Sequence, residues 1–355
     1  MNLLRPLAAA AALAVPALVC AQSSVTIYGI ADLAVRRTSG LSAANAAVPS
    51  GSATALASGV NNTSRLGFRG REDLAGGLFA VFNLETGLNL DTGLPANAKF
   101  FDRASTVGLG GGWGTVTAGR QTNLLADAIG PVDPVGMRFA AFNPNIATTA
   151  LSAHGLGIEY GSAGATTGSY RLDNAVKYTG RFGPVTARAM HGFGENLAGT
   201  RPQSSTGAGL AYADGGLALS GAWQTFRSPA GLTLDAATVG AAYQWGAVRL
   251  AANTGRSEAE TTATARTVQQ VQSLGSTWGV TSAVDLTAAV YRLNRQRTGQ
   301  RDDGYTRAIF FAEYKLSRRS RLYAELDRTR WRDNFQGAAN KPTGTGATVG
   351  LIHTF

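Results

Sequence analysis

Charged and polar side chains in this chain recur two residues apart, on segments whose alternate positions are apolar. Arg65, Gly67 and Arg69 share one face of such a segment, and Leu66 and Phe68 take the other. Arg307, Glu313 and Lys315 likewise oppose Phe310, Ala312, Tyr314 and Leu316. Gln244, Arg249 and Asn253 occupy polar faces of the same kind, opposite apolar faces such as Val239, Ala241, Tyr243 and Trp245. Such charges do not fit a dry core but suit the wall of a water-filled passage. There, rings of fixed charge set ion preference through a field that low-dielectric walls focus. The chemistry these spacings suggest is electrostatic sorting of solutes.

Bond-making chemistry finds little support. Ser152 and His154 lie two apart in a loop-like stretch, and His191 and His353 sit in strand-like segments, so no Ser/His/Asp constellation assembles. The glycine run Gly108 to Gly114 lacks the Lys-Ser/Thr of a phosphate-binding loop and reads as a hairpin turn. No Cys/His cluster offers a metal site. The reading is a protein with no catalytic residues, metal or cofactor.

The elements that must position these charges are strands. Ser24 to Arg37 alternates Val25, Ile27, Gly29, Ala31, Leu33 and Val35 against Thr26, Tyr28, Asp32 and Arg36. Comparable segments follow as hairpins through to 345–355, and residues 38–62, rich in Ser, Ala, Gly and Asn, read as a long loop. Sixteen strands result, an even number that lets the first and last pair. Connections alternate between short turns (Gly111-Gly112, Asp214-Gly215, Gly246, Ser317-Arg318-Arg319) and longer loops. Strands of about eleven residues, rising about 3.3 Å each and tilted about 40°, span roughly 25–28 Å, the height of a bilayer's apolar band. The fold class is therefore all-β: a sixteen-stranded antiparallel transmembrane barrel. A soluble β-sandwich would alternate similarly, but one-sided loop lengths favour the barrel. The stretch from Gln121 to Arg171 carries Pro131, Pro134 and Pro144 without period-2 alternation. So long an irregular segment inside a compact domain is usually functional, and residues 121–170 are expected to fold inward as the third external loop and constrict the pore.

Composition agrees. Mean hydropathy of -0.02 and 15% charged residues describe a weakly charged chain, yet no window beyond the N-terminus approaches the roughly 18 apolar residues of a membrane helix. Arg5, then the apolar run Leu7–Val19 and the small residues around Ala21, read as a secretory signal peptide over 1–21, ahead of a barrel over 22–355. A lipoprotein signal on Cys20 is the rival reading, disfavoured by the bulk of Val19. Cleavage after Ala21 removes the only cysteine. Of 32 basic residues the leader holds one, Arg5, leaving 31 against 22 acidic residues and a net charge of +9. The arginines are scattered along strands of an exported chain, which argues against nucleic acid and for an anion-attracting channel.

Several motifs together resemble the Gram-negative general porins, above all those of beta-proteobacteria. They are Ser24-Val25-Thr26-Ile27-Tyr28-Gly29, Ser64-Arg65-Leu66-Gly67-Phe68-Arg69-Gly70 with Glu72-Asp73-Leu74, Arg103 before Val107-Gly108-Leu109, Gly119-Arg120-Gln121, Asp173-Asn174-Ala175-Val176, and the terminal Phe355. The resemblance implies a homotrimer in the outer membrane of a Gram-negative bacterium, surrounded by lipid and lipopolysaccharide, with the third external loop inside the lumen. By the same resemblance Arg65, Arg103 and Arg171 are the basic constriction positions, facing Asp127 or Asp133 on the loop. Arg69, Arg307 and Glu313 line the lumen, and Phe355 is the signal read by the outer-membrane assembly machinery. The loop lacks the family's Pro-Glu-Phe-Gly-Gly segment, and Ile30 stands where some relatives carry lysine. The expected function is passive diffusion of small hydrophilic solutes with weak anion preference. A sugar- or phosphate-specific porin is the nearer alternative and a barrel enzyme the more distant one.

Overall fold

The computed structural model describes residues 24–149, 170–194, 204–228 and 231–355. The leader with Cys20 and the Ser152–His154 pair lie outside these residues. One sheet contains β1 (Ser24–Leu41), β2 (Ala47–Ser58), β3 (Arg65–Asp73), β4 (Phe79–Asn89), β5 (Leu94–Pro95), β6 (Ala104–Gly111), β7 (Gly114–Thr122), β8 (Arg171–Phe182) and β9 (Val185–Gly192). It continues through β10 (Ser205–Asp214), β11 (Leu217–Arg227), β12 (Thr233–Trp245), β13 (Val248–Glu260) and β14 (Arg266–Gly279), and ends with β15 (Val284–Arg297), β16 (Asp303–Lys315), β17 (Ser320–Arg332) and β18 (Thr343–Thr354).

Sixteen of these strands make a closed antiparallel wall. Each pairs with its sequence neighbour, and β1 pairs with β18 from Ile30↔Thr354 to Ser39↔Thr345. The last residue completes the seam. The Gly29 amide donates to the Phe355 carbonyl at 3.0 Å, and the Phe355 amide donates to the Gly29 carbonyl at 3.2 Å. Closure leaves no free edge within the sixteen-stranded wall itself.

The two remaining strands are additions to the wall. β5 is a two-residue pairing in the loop after β4. β2 corrects the sequence reading of 38–62 as an irregular loop. There β1 runs on to Leu41, turns, and returns as β2, which pairs with β1 from Leu33↔Ser58 to Leu41↔Ala47. β3 then takes over the same edge of β1 from Ile30↔Arg65 downward. The ladder survives there because backbone pairing needs no hydrophobic face, and small Ala and Ser side chains leave little periodicity to read.

Alternation sets which side chains meet lipid. Leu274, Leu326 and Val349 point outward at 64%, 59% and 64% exposure, whereas their neighbours Ser273, Asp327 and Thr348 point inward and are buried. Short turns gather at the end that holds both Ser24 and Phe355. Gly215 and Gly216, with φ of 55° and 85°, form a two-residue link whose backbone twist matches the strands it joins.

The segment after β7 is drawn in against the wall. Asn123 caps α1 (Leu124–Ile129), its side chain accepting from the Ala126 amide at 2.9 Å. A second short helix, α2 (Pro144–Thr149), follows. Leu124, Leu125 and Ala128 pack with Ala222, Phe226, Leu234 and Ala236 on the inner faces of β11 and β12. Val135, Phe139 and Phe142 pack with Tyr291, Ile309 and Phe311 of β15 and β16. Glycine makes the approach possible. A Cβ on Gly240 would stand 2.6 Å from Val132, and one on Gly275 would stand 2.7 Å from Pro134.

Candidate functional site

Two groups of charged side chains line the interior. The first is built on β3, β4 and the residues that enter β6 and β8. Arg65 and Arg69 alternate inward on β3, and the β3–β4 register sets Glu85 opposite Gly67, between them. Arg103 closes on Glu85 from the residue before β6, with its Nε donating to Oε1 at 2.5 Å, while the Arg65 Nε stands 4.0 Å from Oε2. Tyr28 of β1 donates to the same carboxylate at 2.9 Å and to Asn83 at 2.8 Å. The Arg69 guanidinium lies 4.9 Å from the centre of the Tyr28 ring. Arg171 opens β8, donating from Nε to the Arg103 carbonyl at 2.6 Å, and its guanidinium lies 4.3 Å over the Tyr170 ring.

Arg65 and Arg103 therefore converge on the Glu85 carboxylate, with Arg171 beside Arg103. Burial raises the Tyr170 phenol, but the charges of Arg171, Arg103 and Arg65 and a hydrogen bond from Arg171 outweigh it and bring it down to about 8. The neighbouring Arg120 donates to the Asp102 carbonyl at 2.6 Å and pairs with Asp173 at 2.6 Å, and Lys99 also pairs with Asp173. That adjacent group is balanced more evenly than the Arg65–Arg103–Arg171 set.

The second group fastens the inward segment. Asp133 is fully buried and accepts only neutral donors: the Met137 amide at 2.7 Å, Asn145 at 2.5 Å, Asn143 at 3.2 Å and the Tyr291 hydroxyl at 3.2 Å. Its burial pushes the carboxyl upward against these bonds. Arg138 pairs with Glu313 at 2.5 Å, Arg249 donates to the Pro131 carbonyl at 2.7 Å, and Arg307 donates to Thr329 at 2.6 Å and to the Phe142 carbonyl. Asp127 accepts from Thr122 at 2.7 Å and pairs with Lys177 at 2.7 Å, with Arg188 at 4.0 Å.

The expected basic residues Arg65, Arg103 and Arg171 thus come together, and the acid that Arg65 and Arg103 meet is Glu85 on the wall. Of the two loop acids, Asp127 binds lysine and arginine on β8 and β9, and Asp133 lies inside the segment as a hydrogen-bond hub. Arg307 and Glu313 do face inward, where they hold the segment. Glu85 carried a readable signal, since it shares the polar face of its strand with Asn83 and the short turn after Asp73 fixes it beside Arg65. Tyr170 carried none, being a lone aromatic in an aperiodic stretch.

The comparisons agree with this architecture. The chain is 32% identical to outer membrane porin protein 32 of Delftia acidovorans over 259 residues, 69% of this chain and 67% of that one. It is 37% identical to an outer membrane porin of Bordetella pertussis, over a stretch of 141 residues that spans only 37% of either chain. Among solved structures, an anion-selective porin from Comamonas acidovorans superposes with a TM-score of 0.77 at 25% identity, covering 94% of this chain and 100% of that one. OmpT of Vibrio cholerae in its trimer form shares the fold at a TM-score of 0.69 and 16% identity, over 94% and 99%. The model of the Gram-negative porin family matches residues 8–334, and with the closed sixteen-stranded wall this places the chain among the Gram-negative porins of the outer membrane.

Proposed function

We propose that this porin is a passive diffusion channel for small hydrophilic solutes and ions, with a weak preference for anions. The observation that carries the reading is the charge count at the inner wall, where Arg65, Arg103 and Arg171 outnumber the carboxylates of Glu85 and Asp102. A net positive sector on a low-dielectric wall raises the local anion concentration. Residues 123–146 pack on the inner faces of β11–β16 and narrow the passage from that side, away from β3 and β4, which carry Arg65 and Glu85. The likeness to a structure described as an anion-selective porin supports the sign of the preference. Assembly as a homotrimer, with Phe355 as the assembly signal, completes the reading. It is supported by the trimer form of a fold neighbour and by the terminal seam to Gly29.

The test is the zero-current potential of the purified protein in a planar bilayer under a KCl gradient, repeated with Arg65→Ser. One unit charge about 6 Å from a passing ion in water is worth about 0.7 kcal/mol, roughly halved by salt, and acts with opposite sign on chloride and potassium, so the chloride-to-potassium permeability ratio should fall about threefold. Open channels with an unchanged ratio would remove Arg65 from the selective site. Folded barrels that conduct nothing would overturn the channel reading.

A further inference from the structure

Arg103 stands in the arginine wall, but no strand carries it. It is the last residue of the connection between β4 and β6, residues 90–103, so its place depends on how that connection lies. The β4–β6 ladder itself stops at Glu85↔Ala104, with the Arg103 amide donating to the Glu85 carbonyl at 3.1 Å. Beyond that point the β6 edge of β4 would be left without partners, and an unpaired buried backbone group is costly. The connection supplies them. The Gly87 amide donates to Asp102 Oδ1 at 2.6 Å, and the Gly87 carbonyl accepts from the Ala96 amide at 2.9 Å. A carboxylate thus takes the place that a backbone carbonyl would hold had the ladder run on, which frees the chain at 102 to turn away.

The contact is built closely. Gly87 lies opposite Arg65 on the inward face of β4, where a side chain would point into the lumen. A Cβ there would stand 2.8 Å from the Ala96 Cβ and 3.3 Å from the Asp102 carboxylate, so only glycine lets the connection lie against the strand. Asp102 is fully buried. From this clamp the chain hands its carbonyls to the neighbouring strands. Asp102 accepts from Arg120 at 2.6 Å and Arg103 accepts from Arg171 at 2.6 Å, while Lys99 reaches Asp173 on β8.

We propose, on the footing of an anion-preferring channel, that Gly87 and Asp102 are positioning residues for its selectivity. The clamp between them holds residues 96–103 against β4, and that fixes the Arg103 guanidinium beside Glu85 and the Arg103 carbonyl under Arg171. Neither residue brings a positive charge to the pore, and Asp102 brings a negative one. Their contribution to anion preference is therefore geometric, and it runs opposite in sign to the charge that Asp102 carries.

The experiment measures zero-current potentials of the purified protein in a planar bilayer under a KCl gradient. Gly87→Ala keeps every charge but sets a methyl group where Ala96 stands, so the chloride-to-potassium ratio should fall about twofold. Adding Ala96→Gly removes the clash and should restore the wild-type ratio. Asp102→Ala and Asp102→Asn remove the same charge, and asparagine keeps an oxygen that can accept from Gly87. Alanine should then give a ratio about twofold below that of asparagine. Amide exchange over residues 96–103 should quicken in Gly87→Ala and Asp102→Ala and stay near the wild-type rate in the other two variants. An unchanged ratio in Gly87→Ala, a fall that Ala96→Gly does not reverse, or equal ratios for Asp102→Ala and Asp102→Asn would overturn the proposal. Faster exchange with unchanged ratios would overturn it too, by making the clamp a support of the fold alone. A wild type without chloride preference would remove the charge reading of the channel itself, and the wild-type potential shows this apart from any variant.

Discussion

The interior of this barrel has two sides, made from one alternation and put to different uses. On the β3–β8 side, inward positions stay charged, and Arg65 and Arg103 share the Glu85 carboxylate with Arg171 beside them. On the β11–β17 side, inward positions include Phe226, Leu234, Ile309 and Phe311, all buried under residues 124–142. That side resembles the core of a soluble protein, with aromatic rings in contact: Phe139 lies 5.0 Å from Phe311 and 5.4 Å from Phe142. The difference teaches that an apolar residue on an inward face marks a wall packed as a core, whereas an excess of one charge marks a wall that sets the field.

The comparison breaks most sharply where the covered side is loosened. Phe139→Ala removes a fully buried ring from the contact with β16, a change that costs about 3–5 kcal/mol in a packed core. The inward segment should then open often enough for trypsin to cut after Arg138, and single-channel records should become noisier. The chloride-to-potassium ratio should stay near the wild-type value, because the arginine wall is built from other strands. Resistance of Arg138 to trypsin in this variant would mean that the aromatic core does not hold the segment. A smaller effect should follow Asp133→Asn. The carboxylate accepts four hydrogen bonds, and an amide turns one acceptor into a donor facing Met137 and Asn143, or Asn145 and Tyr291. The loss should be on the order of 2 kcal/mol of local stability, read as faster amide exchange across residues 133–146. Exchange at the wild-type rate would remove Asp133 as the hub.

These two sides were not equally legible in the sequence. Strand alternation exposed the wall because each outward position must satisfy lipid and each inward one water, so Arg65, Arg69, Arg307 and Glu313 could be placed inward from their parity alone. Loop length marked the segment 121–171 as unusual. What sequence reading missed was the signal on the partner strands. Ile309, Phe310 and Phe311 are consecutive and apolar, so β16 is apolar on both faces and something must cover the inner one. The role of Asp133 was hidden for a different reason. A lone acid in an aperiodic stretch can be a pore charge or a buried acceptor, and only the positions of Asn143, Asn145 and Tyr291 decide between them. Glu85 lay in plain view on a polar strand face, but pairing it with Arg103 needs the register across β4 and β6, where Ala104 sits opposite Glu85.

The smallest predicted effect sharpens the open side, and it turns on a proton. Near pH 6 the Tyr170 phenol is neutral, so Arg65, Arg103 and Arg171 against Glu85 and Asp102 leave the cluster net positive. As pH rises through about 8 the phenol ionises, because the surrounding guanidiniums stabilise its anion more than burial penalises it. The new negative charge lowers the charge of the cluster by one without moving any atom of the wall. Anion preference should therefore decline as pH rises from 7 to 9, by about twofold in the permeability ratio, somewhat less than for removing Arg65 because the tyrosinate charge sits against Arg171. Tyr170→Phe should retain the pH 7 ratio and lose the dependence. A decline that persists in Tyr170→Phe would assign the titration to another group, and a flat wild-type profile would mean that the Tyr170 charge is not felt by ions in the pore. Either outcome would still leave the contrast with the Phe139 side intact, since that core is held by ring contacts and not by the Tyr170 charge.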